Sequence, residues 1–283
     1  MATTQDLETR FTASGVRLRA RTRRPGDVDW LFLPGGPGIG SESLHELVDA
    51  LDVPGTCWLV DLPGDGSNTD APGAPADPFS AWPHAVVEAA RAVRRPVFLG
   101  HSTGGMYLLA TPELEELLEG LVLISTAPTA DWMPAFIAMT ETNPLPAVTA
   151  ATERYEADPS DANLREIAVE SATWNFTPEG VEAGAELLGR MPYNGAAVAW
   201  SDAHFDHTYE AAWFPEELPT LIVSGGADRI VTQRLWDEPQ YDGDHVLRRR
   251  IDGGAHFPWI ERPDAMKKAF ADFAVHLSTW TSG

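Results

Sequence analysis

The turn Gly100-His101-Ser102-Thr103-Gly104-Gly105 directly follows the apolar run Pro96-Val97-Phe98-Leu99 and precedes the helix-forming stretch Met106-Tyr107-Leu108-Leu109-Ala110. An apolar strand that runs into Gly-x-Ser-x-Gly and then a helix is the pattern of a nucleophile elbow, in which a strained serine lifts its hydroxyl above the edge of a sheet. So tight a turn needs residues without bulk two before and two after the serine, and Gly100 and Gly104 meet that need. The following helix N-terminus points at the serine, where developing negative charge is favoured.

Around this turn the chain alternates apolar runs, bounded by Gly and Pro, with longer amphipathic segments. That alternation predicts parallel strands joined by crossover helices, an α/β fold. Strands are expected at Val16 to Arg24, Trp30 to Leu33, Cys57 to Leu62, Gly120 to Ser125, Thr220 to Ser224 and Val246 to Ile251. Helices are expected from about Ser43 to Leu51, with Ser41 or Ser43 as cap, from Pro78 to Arg94, and from Pro263 to Leu277. Strand signals stop between about Pro128 and Phe214, where the periodicity is helical, Pro144, Pro146 and Pro159 act as breaks, and aromatic residues gather. The reading is a core domain of residues 1–127 and 215–283 interrupted once, at 128–214, by an inserted helical lid.

Composition narrows the partners. Hydrophobic residues make up 43% of the 283 residues, and no apolar run approaches the roughly 20 residues of a membrane span, so a soluble globular protein is expected. The start, Met1-Ala2-Thr3-Thr4-Gln5-Asp6-Leu7-Glu8, carries neither a basic nor an apolar stretch, which predicts a cytoplasmic protein without a secretory signal. The single cysteine, Cys57, falls in a strand-like run and reads as a buried, inert thiol. A formal net charge of −22 repels nucleic acid and anionic membranes, leaving a small molecule as the expected partner. The histidines show no metal-ligand spacing and no phosphate-binding loop is apparent, so no metal and no cofactor is expected. Nothing in the pattern fixes an oligomeric state.

A serine hydroxyl is a poor nucleophile at neutral pH and needs a base, itself oriented by a third group. In a parallel sheet those partners come from turns at the carboxyl ends of later strands. His256 fits, in Gly253-Gly254-Ala255-His256-Phe257-Pro258 after the strand ending at Ile251. His101 is expected to point away from the nucleophile, and the remaining histidines considered fall in helices or the lid. Asp228 is the best third member, just past the strand ending at Ser224, with Asp252 a weaker competitor. The order Ser102, Asp228, His256 is one of the known arrangements of this chemistry. For the oxyanion, one donor is expected at the Thr103 backbone N–H. The other is expected from Pro34-Gly35-Gly36-Pro37-Gly38, at Gly36 with Gly35 as the alternative, since Pro37 has no N–H. Trp132 and Trp259, with Gly35, are candidates for the substrate pocket.

These residues together resemble the α/β-hydrolase superfamily. The matching features, in order, are Gly35-Gly36-Pro37-Gly38, Asp61-Leu62-Pro63-Gly64-Asp65-Gly66-Ser67, the elbow, Gly226-Ala227-Asp228, and His256-Phe257-Pro258 with Glu261 and Pro263. Within the superfamily, Gly-Gly-Pro-Gly looks like the proline iminopeptidase-related branch. The resemblance implies a mostly parallel sheet flanked by helices, a helical lid between two late strands, and acyl or peptide hydrolysis. The chain departs from the pattern at Pro34, where the family usually has histidine, and at Pro63, where it usually has arginine. The lid glutamates and tryptophan pair that hold a free amino terminus in true iminopeptidases are represented here only by Ala199-Trp200-Ser201-Asp202. The expected activity is therefore hydrolysis of a small ester, lactone, thioester or amide through an acyl-enzyme. Iminopeptidase action, carbon-carbon bond hydrolysis and slow-turnover ligand binding are the alternatives.

Overall fold

A computed structural model describes residues 6–280, so Met1 to Gln5 of the expected leaderless start lie outside the described residues. Eight strands form one sheet: β1 (Glu8–Phe11), β2 (Arg17–Arg23), β3 (Asp29–Leu33), β4 (Thr56–Asp61), β5 (Pro96–His101), β6 (Gly120–Ile124), β7 (Thr220–Gly225) and β8 (Val246–Ile251). Their order is β1-β2-β4-β3-β5-β6-β7-β8, antiparallel among β1, β2 and β4 and parallel thereafter. Every residue of β5 and β6 is buried, as expected for central parallel strands covered on both faces. Period-2 alternation splits the core: Trp30 and Phe32 face one layer with Phe270 and Phe273, while Leu31 and Leu33 face the other with Phe98 and Trp82.

The helices of the core are α1 (His45–Ala50), α2 (Trp82–Arg91) and α3 (Thr103–Leu109). Six more lie between β6 and β7: α4 (Trp132–Thr142), α5 (Pro146–Ala157), α6 (Asp161–Glu170), α7 (Ala172–Asn175), α8 (Val181–Gly189) and α9 (Gly195–Ser201). α10 (Pro258–Glu261) and α11 (Pro263–Trp280) close the chain. Hydrogen bonds from Ala130 N to the Tyr209 carbonyl and from Ala211 N to the Pro128 carbonyl, both 2.8 Å, draw the two ends of the insertion together.

Local differences from the sequence pattern have physical causes. β1 carries no apolar alternation, and as a charged, largely exposed edge strand it gives no burial signal. The expected first helix splits into a 3-10 turn, Ser41–Leu44, followed by α1, and neither serine caps it. Ser43 Oγ instead donates to the Gly40 carbonyl (2.8 Å), and Ser41 N donates to Asp61 Oδ1 (2.8 Å). α2 begins at Trp82 rather than Pro78, with Pro83 in its first turn, where a missing N–H costs nothing.

β3 has β4 on one side and β5 on the other, so the strand order reverses between β3 and β5. Loops leaving the carboxyl ends of strands on either side of such a point diverge and open a crevice. The crevice here lies between the loop after β3, which holds Gly35 to Gly38, and the turn after β5, which holds Ser102.

Candidate active site

Ser102 takes φ 52° and ψ −127°, a backbone conformation that L-residues rarely adopt. The surroundings hold it there: Ser102 N donates to the Ile124 carbonyl (2.9 Å), and Gly105 N donates back to the Ser102 carbonyl (2.9 Å). The glycines are steric requirements. A Cβ on Gly100 would sit 2.4 Å from Gly105 Cα, and one on Gly104 would sit 2.2 Å from the Pro34 carbonyl oxygen. Gly105 is also constrained, with its absent Cβ 2.8 Å from Thr126.

His256 Nε2 lies 3.1 Å from Ser102 Oγ, and His256 Nδ1 lies 3.1 Å and 3.3 Å from the two Asp228 carboxylate oxygens. Both partners are almost fully buried. Asp228 Oδ1 also accepts from Ile230 N (2.9 Å) and Val231 N (3.1 Å), which fixes the carboxylate. The loops after β7 and β8 are joined where Ala227 N donates to the Gly254 carbonyl (2.9 Å), and a Cβ on Gly225 would strike the Ala255 carbonyl at 2.0 Å. Asp252 stands apart, its side chain 93% exposed and paired with Arg250.

Gly36 and Thr103 border the same cavity as Ser102 and His256. Gly36 has φ 115°, open to glycine alone, and Thr103 Oγ1 donates to its carbonyl at 3.4 Å. The Gly36 loop is anchored where Gly38 N donates to Asp65 Oδ1 (2.7 Å). Burial, with the nearby Asp61 carboxylate as a smaller cause, pushes the Asp65 carboxyl up to about 7.

The cavity measures about 210 Å³, and its lining includes Ile39, Trp132, Ala168, Tyr193 and Phe257. Depressions of about 390 Å³ beside Arg229 and about 480 Å³ beside Phe214 are larger, yet neither reaches Ser102 or His256. Of the pocket candidates, Trp132 lines the cavity while Trp259 and Gly35 do not. Trp259 is 1% exposed and packs edge-on against His101, ring centroids 4.8 Å apart. Gly35 lies under the elbow, its absent Cβ 2.7 Å from the His101 carbonyl oxygen and from Ser102 Cβ.

His101 does not point away, as the sequence suggested. Its ring packs 4.9 Å from that of His256 and its Nε2 donates to the His256 carbonyl (3.0 Å), so it backs the His256 ring. Burial, and then the neighbouring His256, depress its titration well below the ordinary histidine range and hold it neutral. The sequence also gave no sign of Asn175, whose carbonyl accepts from His256 N (3.0 Å), or of Tyr193. Among the described residues no cluster of three or more His, Cys, Asp or Glu is arranged to hold a metal ion. No helix among them is long and apolar enough to cross a membrane.

A model of the alpha/beta hydrolase family matches residues 30–269. A pimeloyl-[acyl-carrier protein] methyl ester esterase of Yersinia enterocolitica is 26% identical over 265 residues, covering 90% of this chain and 96% of that protein. One from Xanthomonas oryzae is 26% identical over 240 residues, 77% of this chain and 84% of the relative. Among solved structures, a proline iminopeptidase-related protein from Thermus thermophilus superimposes with TM-score 0.71 at 20% identity, covering 96% of this chain and 99% of the other. A thermophilic esterase from Thermogutta terrifontis gives TM-score 0.63 at 20% identity, with the same coverage.

Proposed function

The chain belongs to the alpha/beta hydrolase family, and we propose that it is a serine hydrolase that cleaves small carboxylic esters through an acyl-enzyme. The observation that carries this reading is the unbroken contact from Asp228 through His256 to Ser102, at 3.1 Å on each side of the imidazole, opening onto a cavity. Ser102 Oγ attacks the ester carbonyl while its proton passes to His256 Nε2. Asp228 holds the Nδ1–H tautomer and stabilises the imidazolium. The Gly36 and Thr103 N–H groups receive the oxyanion. Collapse breaks the bond to the alkoxy group, which leaves with the proton from His256. Water then repeats the sequence on the acyl-enzyme and frees the acid.

The esterase names of the relatives support an ester over an amide. Chemistry weighs against an iminopeptidase: a substrate ammonium group needs a carboxylate, and the cavity lining contains no Asp or Glu. We read residues 128–214 as a lid, because Trp132, Ala168, Ser171, Asn175, Leu188 and Tyr193 all come from that insertion and line the cavity. A cytoplasmic small-molecule enzyme belongs to the same reading, supported by the single buried thiol and the charge of −22.

The test is fluorophosphonate labelling with hydrolysis of short p-nitrophenyl esters. Wild-type protein is expected to label at Ser102 and turn over; Ser102→Ala is expected to do neither while melting at the wild-type temperature. Activity retained by a folded Ser102→Ala protein overturns the assignment.

A further inference from the structure

We propose that the cavity is built for a short ester whose acyl chain carries a second, neutral hydrogen-bond acceptor, a ketone or further ester carbonyl, received by the Tyr193 hydroxyl and the Trp132 Nε1–H. This names the substrate class of the site and rests on the reading of Ser102 as nucleophile.

Much of the cavity wall is apolar, with Ile39, Ala168, Leu188, Ile230 and Phe257 suited to an alkyl chain. Of the polar side chains in the lining, Thr103 Oγ1, Ser171 Oγ and Asn175 Nδ2 already donate to backbone carbonyls, whereas two other donors do not. The Tyr193 hydroxyl and Trp132 Nε1 are both shut off from solvent, and neither has a hydrogen-bond partner among the described residues. Both residues line the cavity with Ser102. A buried donor without a partner costs free energy, which a substrate oxygen recovers on binding.

An indole N–H can only donate, so the complementary group is an acceptor. Burial raises the Tyr193 titration far above the ordinary range, so its hydroxyl keeps its proton and serves as the second donor. His101 Nδ1 is a further buried, unpartnered atom of a lining residue. Its ring is neutral and its Nε2 hydrogen is used on the His256 carbonyl, so Nδ1 is an acceptor and cannot share this role.

The second group is neutral because no Lys or Arg lines the cavity to pair with a carboxylate. Arg165 lies over the Tyr193 ring, 5.6 Å from its centroid, and is not part of the lining. At about 210 Å³ the space falls below the roughly 300–1,000 Å³ of drug-sized sites, so the acceptor must lie within a few bonds of the scissile carbonyl.

Methyl 4-oxopentanoate and methyl pentanoate test this directly, since they differ only in a ketone too remote to activate the ester. The expected result is a kcat/KM about tenfold higher for the keto ester, with that preference cut about threefold or more by Tyr193→Phe and by Trp132→Phe. A merely structural role lowers both esters together and leaves the ratio unmoved. Equal wild-type rates, or a ratio unchanged in both variants, overturns the proposal.

Calorimetric titration of the Ser102→Ala protein with the same two esters separates this proposal from the reading beneath it. Preferential binding of the keto ester without Ser102 labelling of the wild type sinks the nucleophile and keeps the acceptor site. Labelling with no binding preference sinks the acceptor site alone.

Discussion

Replacing Asp65 by Asn should reverse part of the pH dependence of stability. The Asp65 side chain is 3% exposed and accepts from Gly38 N at 2.7 Å, with its carboxyl raised from 3.8 to about 7 mainly by burial. Across that interval the native state keeps a proton that the unfolded chain has released, so the wild type loses stability as pH rises. At roughly 1.4 kcal/mol per pH unit, the full displacement is worth about 4 kcal/mol, and the part falling between pH 5 and pH 8 is about 2–3 kcal/mol. Asn is isosteric, keeps an oxygen for the Gly38 N–H and cannot titrate. The difference in unfolding free energy, Asp65→Asn minus wild type, should therefore grow by about 2–3 kcal/mol from pH 5 to pH 8. Urea denaturation followed by circular dichroism at half-unit pH steps reads it. Any constant cost of fitting the amide against the Gly66 N–H cancels from the slope, as do distant carboxylates that titrate alike in both proteins. A difference that stays flat within about 0.5 kcal/mol, half the net worth of a typical hydrogen bond, refutes the claim that Asp65 is held protonated by burial.

Two further substitutions probe the packing of the site. Gly104→Ala places a methyl 2.2 Å from the Pro34 carbonyl oxygen and 2.9 Å from that of Leu33. Both are backbone atoms, so the strain should cost about 2–3 kcal/mol and displace the Gly36 loop; wild-type denaturation and activity would contradict it. Glu261→Ala strips the acceptors from Thr177 N (2.7 Å) and Ala255 N (2.6 Å). With hydrogen bonds to a charged group worth about 1.5–3 kcal/mol each, a loss near 3 kcal/mol is expected, with a fall in kcat because Ala255 precedes His256. Thermal melts and steady-state kinetics check both, and an unchanged kcat would detach the carboxylate from the base.

How much of this could be read from the chain depended on whether the constraint was local. The elbow was legible because its glycines answer to atoms a few residues away, as Gly100 does to Gly105. Asp228 and His256 were legible because each follows a parallel strand of the sheet, β7 and β8, whose carboxyl end must face the same edge. Asp65 in Gly64-Asp65-Gly66 resembles any turn carboxylate; only its burial beside Asp61 sets it apart, and burial is a tertiary property. Tyr193 lies in Met191-Pro192-Tyr193-Asn194, a sequence with no chemical signature, and matters because the insertion brings it to the cavity that Ser102 lines. Trp259 misled for the opposite reason: its nearness to His256 in sequence suggested the pocket, whereas α10 turns the ring into the core.

The insertion supplies much of the cavity wall, and it is tied to the core unevenly. His256 N donates to the Asn175 carbonyl at 3.0 Å, and Glu261 bridges the Thr177 N–H and the loop before His256. Asn194 N donates to the Gly38 carbonyl (2.9 Å) and Asn194 Nδ2 to the Gly64 carbonyl (2.6 Å). The segments around α7 and α9 are thus tied to the base loop and to the Gly36 loop. Lifting them together would break these four hydrogen bonds and the one between the Tyr107 and Ser201 hydroxyls (2.8 Å), about 6 kcal/mol with the Glu261 bond at about 1.5–3 kcal/mol and the others at roughly 1 kcal/mol each, and would shift both His256 and the Gly36 loop. α4 is different, since none of its residues is buried as a whole and its Phe136 meets Trp174 edge-on with ring centroids 6.1 Å apart. Few buried contacts mean a low local cost of displacement. The lowest cost of displacement therefore falls on α4, and Trp132, which lines the cavity from that helix, would move with it.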